Sequence, residues 1–289
     1  MRLTGGPPSR QQLRAKWGWL KGQQAYWHRP ATVLTRLGLW WLRCQLGLPA
    51  TVSLQPWGVR LWLPPQWRGV AKLIFAFREY YEPELKLLAQ WLSPGAVFVD
   101  VGAAFGIYAL VGAKLVGPEG TVLAFEPAAA TFEVLERNLR LNGAANVRAF
   151  RVALADFRGE TPLRHEADPS RNALAPTGAP YAGETVRVCR LDDVVSGLGL
   201  RRLDAVKRDV EGSEELVLAG AVRALKAWRP VVIFEVNPGA AARLGLRPEG
   251  AWGRLAALGY RFHRFDWSAG RLEALGAFPG GGNVVALPE

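Results

Sequence analysis

The stretch Val97-Phe98-Val99-Asp100-Val101-Gly102-Ala103-Ala104-Phe105-Gly106 constrains this chain most, because an apolar β-branched run ends on an acid and breaks into a Gly-x-x-x-Gly turn. A strand that closes this way and leads into a helix receives a nucleotide-type ligand at the edge of a parallel sheet. The glycines let the backbone approach the ligand, and the acid leaves the strand aimed at a polar group above it. A second apolar run, Val122-Leu123-Ala124-Phe125, ends on Glu126-Pro127, with Glu126 standing 24 positions past Gly102. A carboxylate there can accept both hydroxyls of a ribose.

Two cofactor classes fit such a pair. A nicotinamide dinucleotide needs Gly-x-Gly-x-x-Gly, with a helix N-terminus against the pyrophosphate. Here Ala104 stands where the second glycine belongs, and Asp100 would repel a pyrophosphate. S-adenosylmethionine carries a sulfonium and an ammonium, which favour a nearby acid. The methyl donor is therefore the preferred reading, with hydride transfer the minor one and a ligand-free strand-turn-helix the bland one.

Strands and helices alternate onward: strand 97–102, helix 106–116, strand 122–127, helix 130–141, strand 147–154. A hairpin-like excursion at 161–190 is followed by a short helix from Leu191 and a strand from Asp204 to Val210. Then come a helix over Glu214 to Lys226, a strand over Val231 to Val236, a helix at 249–258 and strands at 260–266 and 283–287. This order predicts an α/β, Rossmann-like domain with a seven-stranded, mostly parallel sheet. No helix separates the final two strands, so the last is expected to be antiparallel.

Ahead of this domain lies a different composition. The first acid is Glu79, so residues 1–78 hold 12 Lys/Arg against none, while residues 79–289 hold 24 against 25 acids. Eight of the 12 tryptophans fall in the same segment: Trp17, Trp19, Trp27, Trp40, Trp41, Trp57, Trp62 and Trp67. The chain divides accordingly into a basic, Trp-rich extension, 1–78, and a catalytic-type domain, 79–289. Residues 1–12, with Gly5-Gly6-Pro7-Pro8, read as a disordered start, followed by helices near 13–27 and 31–47 and a hairpin over 51–63.

Basic plus aromatic composition suits anionic lipid or nucleic acid, although packing of the tryptophans onto the body is the plainer expectation. Arg36 and Arg43 interrupt the apolar stretch from Ala31 to Leu48, at a cost of about 2.5–3.5 kcal/mol each at a bilayer centre, so no transmembrane span is expected. The stretch also begins too far from Met1 for a signal peptide. Cys44 and Cys189 form no disulfide framework, and His28, His165 and His263 are too scattered for a zinc site. A reducing cytosol is the expected compartment, with peripheral membrane contact as a secondary expectation.

At Asp204-Ala205-Val206-Lys207-Arg208-Asp209-Val210-Glu211-Gly212-Ser213-Glu214 the chain resembles the FkbM-type methyltransferases. It is similar to them also at Tyr81-Glu82-Pro83, Asp100-Val101-Gly102-Ala103, Phe125-Glu126-Pro127, Asn138 with Asn142, Ala153-Leu154-Ala155-Asp156, Leu191-Asp192-Asp193 and Asn283-Val284-Val285-Ala286. The resemblance spans roughly 80–287, and it implies a class I S-adenosylmethionine fold acting on hydroxyls of sugars or secondary metabolites. By position it implies that Asp100, Gly102, Ala103 and Gly106 flank the methionine moiety, Glu126 the ribose and Asp156 the adenine. Asp209 would stand where the methyl group meets the acceptor. Family members commonly carry Asn at the positions of Ala104 and Ala128 and an apolar residue at that of Arg208. A buried Arg208 needs a partner, and Glu235 on the neighbouring strand is the expected one.

Methyl transfer is an in-line displacement that must relieve the acceptor of a proton. Strand alternation puts Lys207, Asp209 and Glu211 on one side if the strand runs straight, giving a carboxylate pair beside an ammonium. Asp209 is the first candidate for orienting donor or acceptor, Glu211 the candidate base and His165 the second-choice base. Glu211 is equally suited to serve the N-terminus of the helix after Gly212, and Lys207 to form a structural ion pair. Asp209, Glu235 and Asn237 suit Mg²⁺, but no metal site is favoured.

The expected function is O-methylation of a sugar, glycan or secondary metabolite, converting S-adenosylmethionine to S-adenosylhomocysteine. An RNA methyltransferase clamping its substrate through the extension is one alternative. A non-catalytic donor-binding module at a membrane surface, docked through residues 10–78, is another.

Overall fold

The computed structural model describes residues 10–82, 84–166, 172–175, 183–266 and 268–289. Gly5-Gly6-Pro7-Pro8, Pro83 and Arg171 lie outside the described residues. The helix expected over 13–27 is two, α1 (Arg10–Lys21) and α2 (Gln24–His28), so residues 10–12 belong to a helix rather than to an irregular start. Helix α3 (Pro30–Gln45) leads to a hairpin of β1 (Ala50–Leu54) and β2 (Val59–Leu63), paired antiparallel with Val52 opposite Leu61. Two further helices follow, α4 (Val70–Phe77) and α5 (Leu85–Trp91). Helix α4 is buried along most of its length, and its nearly continuous apolar sequence hides the helical period.

The body begins with β3 (Val97–Val101), α6 (Ile107–Val116), β4 (Thr121–Phe125), α7 (Ala129–Leu141) and β5 (Val147–Phe150). The strand expected over 147–154 stops at Phe150. Its remainder enters a separate four-stranded sheet of β6 (Ala153–Leu154), β7 (Gly159–Arg164), β8 (Ala173–Leu174) and β9 (Gly183–Cys189). Then come α8 (Leu191–Gly197), β10 (Ala205–Arg208), α9 (Glu214–Ala219), α10 (Val222–Trp228) and β11 (Val231–Val236). The single helix expected over 214–226 breaks at Gly220, where a Cβ would lie 2.0 Å from the Ala155 carbonyl oxygen. The chain closes with α11 (Pro238–Arg243), α12 (Gly250–Ala256), β12 (Tyr260–Asp266), β13 (Arg271–Leu275) and β14 (Gly282–Pro288).

The main sheet has eight strands in the order β13-β12-β14-β11-β10-β3-β4-β5 rather than the expected seven. The additional strand, β13, pairs antiparallel with β12 at the edge. Its exposed Arg-Leu-Glu-Ala-Leu sequence gives only a weak alternating signal. Strands β5, β4, β3, β10 and β11 run parallel, and β14 is antiparallel to both β11 and β12, as expected.

Both sheet faces are covered, so the central strands are apolar throughout. Phe98, Ile233 and Val285 share one core with Leu110 of α6, Leu88 of α5, Ile74 of α4 and the inward leucines of the hairpin. Val99, Val206 and Phe234 share the other with Leu218, Leu225 and Leu255 from the opposite helix layer. Trp40 lies in the first core, with Trp57, Trp62 and Trp67 packed against it. Trp17, Trp19, Trp27 and Trp41 are exposed. The plain expectation for the tryptophans therefore describes one half of them.

Candidate active site

The parallel strands end beneath a cleft walled by Gly102, Glu126, Lys207, Asp209 and Glu235, with Gln66 and Val70 on one side and Leu163 and Leu174 on another. Its open space, with the solvent at its mouth included, is about 1340 Å³.

The Gly-x-x-x-Gly turn is dictated by close approach. Gly102 has φ +74°, and a Cβ there would lie 1.9 Å from the Asp209 carbonyl oxygen, so the turn touches the end of β10 backbone to backbone. Gly106, at φ +87°, starts α6 against Leu135 and stands behind the cleft wall, whereas Ala103 forms part of that wall. Ala104 itself has φ 48°, a left-handed conformation that Asn tolerates better than Ala, which is a physical reason for the Asn that the family resemblance implies here. Its amide remains useful: the Ala104 N–H donates to Glu126 Oε2 and the Ala128 N–H to Glu126 Oε1, each at 3.0 Å. Burial raises the Glu126 carboxyl to about 7, against the pull of those two amides.

The pleat decides which charges meet. Asp100 pairs in register with Lys207, and Lys207 with Ile233, so Glu235, two residues on, shares their face. Lys207 Nζ lies 3.9 Å from Asp100 Oδ1 and 3.7 Å from Asp209 Oδ2, and 4.8 Å from the centre of the Tyr108 ring. Burial opposes the ammonium, but Asp209, Asp100, Glu82 and Glu235 outweigh it and hold Lys207 above its ordinary value. Asp100 is wholly buried and stands behind the cleft wall, and burial raises it to about 6 against the pull of Lys207 and the Ala109 amide. Glu235 rises to about 7 through burial and repulsion from Asp209 and Glu214.

Arg208, one residue out of phase, faces the other layer. Its Nη1 donates to the Glu214 carbonyl, and the guanidinium lies 4.8 Å from the centre of the Phe234 ring. Glu214, not the expected Glu235, is the acid that supports its charge, although burial still lowers Arg208 to about 9. Glu214 also takes the helix-start role weighed for Glu211: its Oε1 accepts from the amides of Val210 and Gly212 at 3.3 Å.

Strand β10 stops at Arg208, and Glu211 adopts φ 51°. This turn still brings oxygens of Asp209, Glu211 and Glu235 within 4.8 Å of one another. Asn237, considered with them as an oxygen ligand, instead offers Nδ2 to Glu211 Oε2 at 3.4 Å.

Two other sequence candidates stand apart. Asp156 is exposed, does not line the cleft, and its carbonyl accepts from Arg190 Nε at 2.7 Å. Val152, Ala153 and Leu154 form the wall there. His165 is exposed, bonds Glu184 Oε1 at 3.0 Å and also lies off the wall. Its small sheet nevertheless walls the cleft through Leu163 and Leu174.

Sequence reasoning missed Glu82 as a site residue. Tyr108 Oη donates to Glu82 Oε2 at 3.2 Å, and burial, with repulsion from Glu84 and Asp209, pushes Glu82 up to about 8. Glu84 accepts from Asn283 Nδ2 at 3.0 Å, tying β14 to the same rim. The Tyr81-Glu82-Pro83 motif was the available signal, but no spacing rule connects it to Lys207.

A Rossmann-like sheet with an antiparallel final strand and acids at its ligand edge defines a methyltransferase fold. A model of the methyltransferase FkbM domain matches residues 100–262, and the chain belongs to the FkbM methyltransferase family. It is similar to methyltransferase sdnD of Sordaria araneosa, 32% identical over 209 residues, covering 61% of this chain and 77% of that protein. It is also similar to the 31-O-demethyl-FK506 methyltransferase FkbM of Streptomyces tacrolimicus, 31% identical over 159 residues, covering 45% of this chain and 60% of that one. A crystal structure of methyltransferase FkbM from Methylobacillus flagellatus aligns with a TM-score of 0.44 and 17% identity, covering 75% of this chain and 53% of the other.

Proposed function

We propose that the protein transfers a methyl group from S-adenosylmethionine to a hydroxyl of a small molecule, with sugars, glycans and secondary metabolites as the acceptor classes. The observation that carries the donor half is Glu126, a buried carboxylate at a strand end whose two oxygens are already oriented by backbone amides. A ribose diol is a ligand group whose two hydroxyls donate to such a pair of oxygens. Asp100, buried behind the cleft wall 3.9 Å from Lys207 Nζ, adds negative charge beneath the same donor position, which favours a cationic ligand group. Gly102, with no room for a Cβ, keeps the turn below them narrow.

The donor supplies an electrophilic methyl group. The protein orients the acceptor and takes its proton. We assign orientation to Asp209, beside Lys207, and proton acceptance to the Glu211–Glu235 pair, with Glu235 the better matched because its value near 7 suits a base at neutral pH. Residues 79–289 carry this chemistry in the proposal, and the extension adds Gln66 and Val70 to the cleft wall. The Lys207 charge, 3.7 Å from Asp209, offsets acid repulsion that would otherwise call for a metal, so turnover is expected to survive chelation and to gain nothing from Mg²⁺.

Calorimetric titration with S-adenosylmethionine, S-adenosylhomocysteine and NAD tests the donor reading. Both sulfur compounds should bind, and Glu126→Gln should weaken them at least about tenfold, the loss of one charge-assisted bond. A folded protein that binds neither, or that prefers NAD, overturns it.

A further inference from the structure

Among the described residues, nine of ten large exposed hydrophobic side chains lie between Trp17 and Leu48. Helix α3 concentrates them. Val33 and Trp40 are buried toward α4, and Trp40 Nε1 donates to the Gln66 carbonyl at 3.0 Å. On the opposite side Leu34, Trp41 and Leu42 recur at helical spacing with Gly38 between them, and Leu39 widens the stripe. A helix apolar on two faces has two burial partners, and the body supplies one.

The charge around this face is of one sign. Residues 1–78 contain 12 Lys/Arg and no acid, and Arg14, Lys21 and Arg29 are exposed beside the stripe in sequence. We propose that the outer face of α3, with the exposed tryptophans of α1 and α2, lies in the interfacial plane of an anionic phospholipid bilayer. The helix has 16 residues, a length of about 24 Å against a hydrocarbon core of about 30 Å, so it lies along the surface. Arg36 and Arg43 hold backbone carbonyls at Ala76 and Pro49 on the protein side. Leucine and tryptophan enter the headgroup boundary while the cations meet lipid phosphates.

Charge and shape exclude the competing occupants. A second copy docked through this face would bring two acid-free, 12-cation segments together. A nucleic acid would meet the cations and stack on the exposed tryptophans, but it would leave Leu34, Leu39, Leu42, Leu46 and Leu48 in water, whereas a lipid boundary takes up both residue types. The lipid side lies one helix from the cleft, because the Gln66 held by Trp40 is part of its wall.

Co-sedimentation of the full chain with phosphatidylcholine vesicles, with and without phosphatidylglycerol, tests this. Binding should require phosphatidylglycerol and weaken between 0.1 and 0.5 M salt. The triple variant Leu34→Ser, Trp41→Ser, Leu42→Ser should lose at least about tenfold in vesicle affinity while remaining cooperatively folded, since these side chains are 42–48% exposed and stand outside the core. A second variant, Arg14→Gln, Lys21→Gln, Arg29→Gln, should lose roughly fivefold per charge at low salt. Absence of vesicle binding, or binding that neither variant changes, overturns the proposal. So does a triple variant that only turns a dimer into a monomer, or that loses RNA binding where no vesicle binding existed.

Discussion

Five acids, Glu82, Glu126, Asp209, Glu211 and Glu235, line the cleft with Lys207, and single substitutions separate their roles. In Glu235→Gln the proposed base is lost while size and polarity are kept. Turnover should fall about 10²–10⁴-fold with donor affinity retained, and the limb of the rate profile near pH 7 should disappear. A variant that keeps the limb would transfer the proton role to Glu82, another cleft acid displaced toward neutrality and one that the donor site does not use in this reading. Gly102→Ala is harsher, because its Cβ would meet backbone 1.9 Å away at a φ of +74°. Urea unfolding should show a loss of about 2 kcal/mol or more, and donor binding should vanish; a near-neutral result would mean that the turn relaxes freely. Glycine, acid and strand end were all visible in the sequence at this scale. The partner of Arg208 was not, because choosing between Glu214 and Glu235 required the register that sets Glu235 two residues beyond the partner of Lys207.

At the scale of elements, the hairpin and α7 are joined by two asparagines that the sequence marks only as a motif. Asn138 Oδ1 accepts from the Trp62 amide at 2.6 Å, and its Nδ2 donates to the Phe105 carbonyl at 3.0 Å. One buried side chain thus ties an extension strand to the turn over residues 102–106 beside the cleft. Asn138→Ala leaves both backbone groups without their partner and should cost about 2–4 kcal/mol in urea unfolding. Asn142→Ala, at the more open end where Asn142 meets Arg60, should cost under about 1 kcal/mol. Equal effects would remove the distinction between a buried tie and a peripheral one. The motif was legible, but its purpose depended on a contact spanning 76 residues, which periodicity does not encode. The βα alternation was legible for the opposite reason: each strand and helix carries its own apolar pattern. Breaks inside a pattern, at Gly220 and after Phe150, come from neighbours distant in sequence.

Across the whole molecule, the cleft acids make stability depend on pH in a direction opposite to that of surface ion pairs. Burial raises Asp100 to about 6, Glu126 and Glu235 to about 7 and Glu82 to about 8. A raised carboxyl holds its proton more tightly in the folded chain than in the unfolded one. Its contribution is complete below the unfolded value near 4 and is lost as pH rises through the folded value. Stability of the ligand-free protein should therefore fall between about pH 5 and 8, lowering the melting temperature by on the order of 5 °C. Lys207 is the internal counterion to this repulsion, so Lys207→Met should destabilise more at pH 8, where the acids are charged, than at pH 5.5, where most are protonated. S-adenosylmethionine brings positive charge to the same floor and should flatten the slope of the parent protein. Differential scanning calorimetry of parent and Lys207→Met at both pH values, with and without the donor, reads all three effects together. A melting temperature that rises over this interval would mean that surface pairs, not the buried cluster, govern the pH response; a slope that the donor leaves unchanged would place its positive charge away from Asp100.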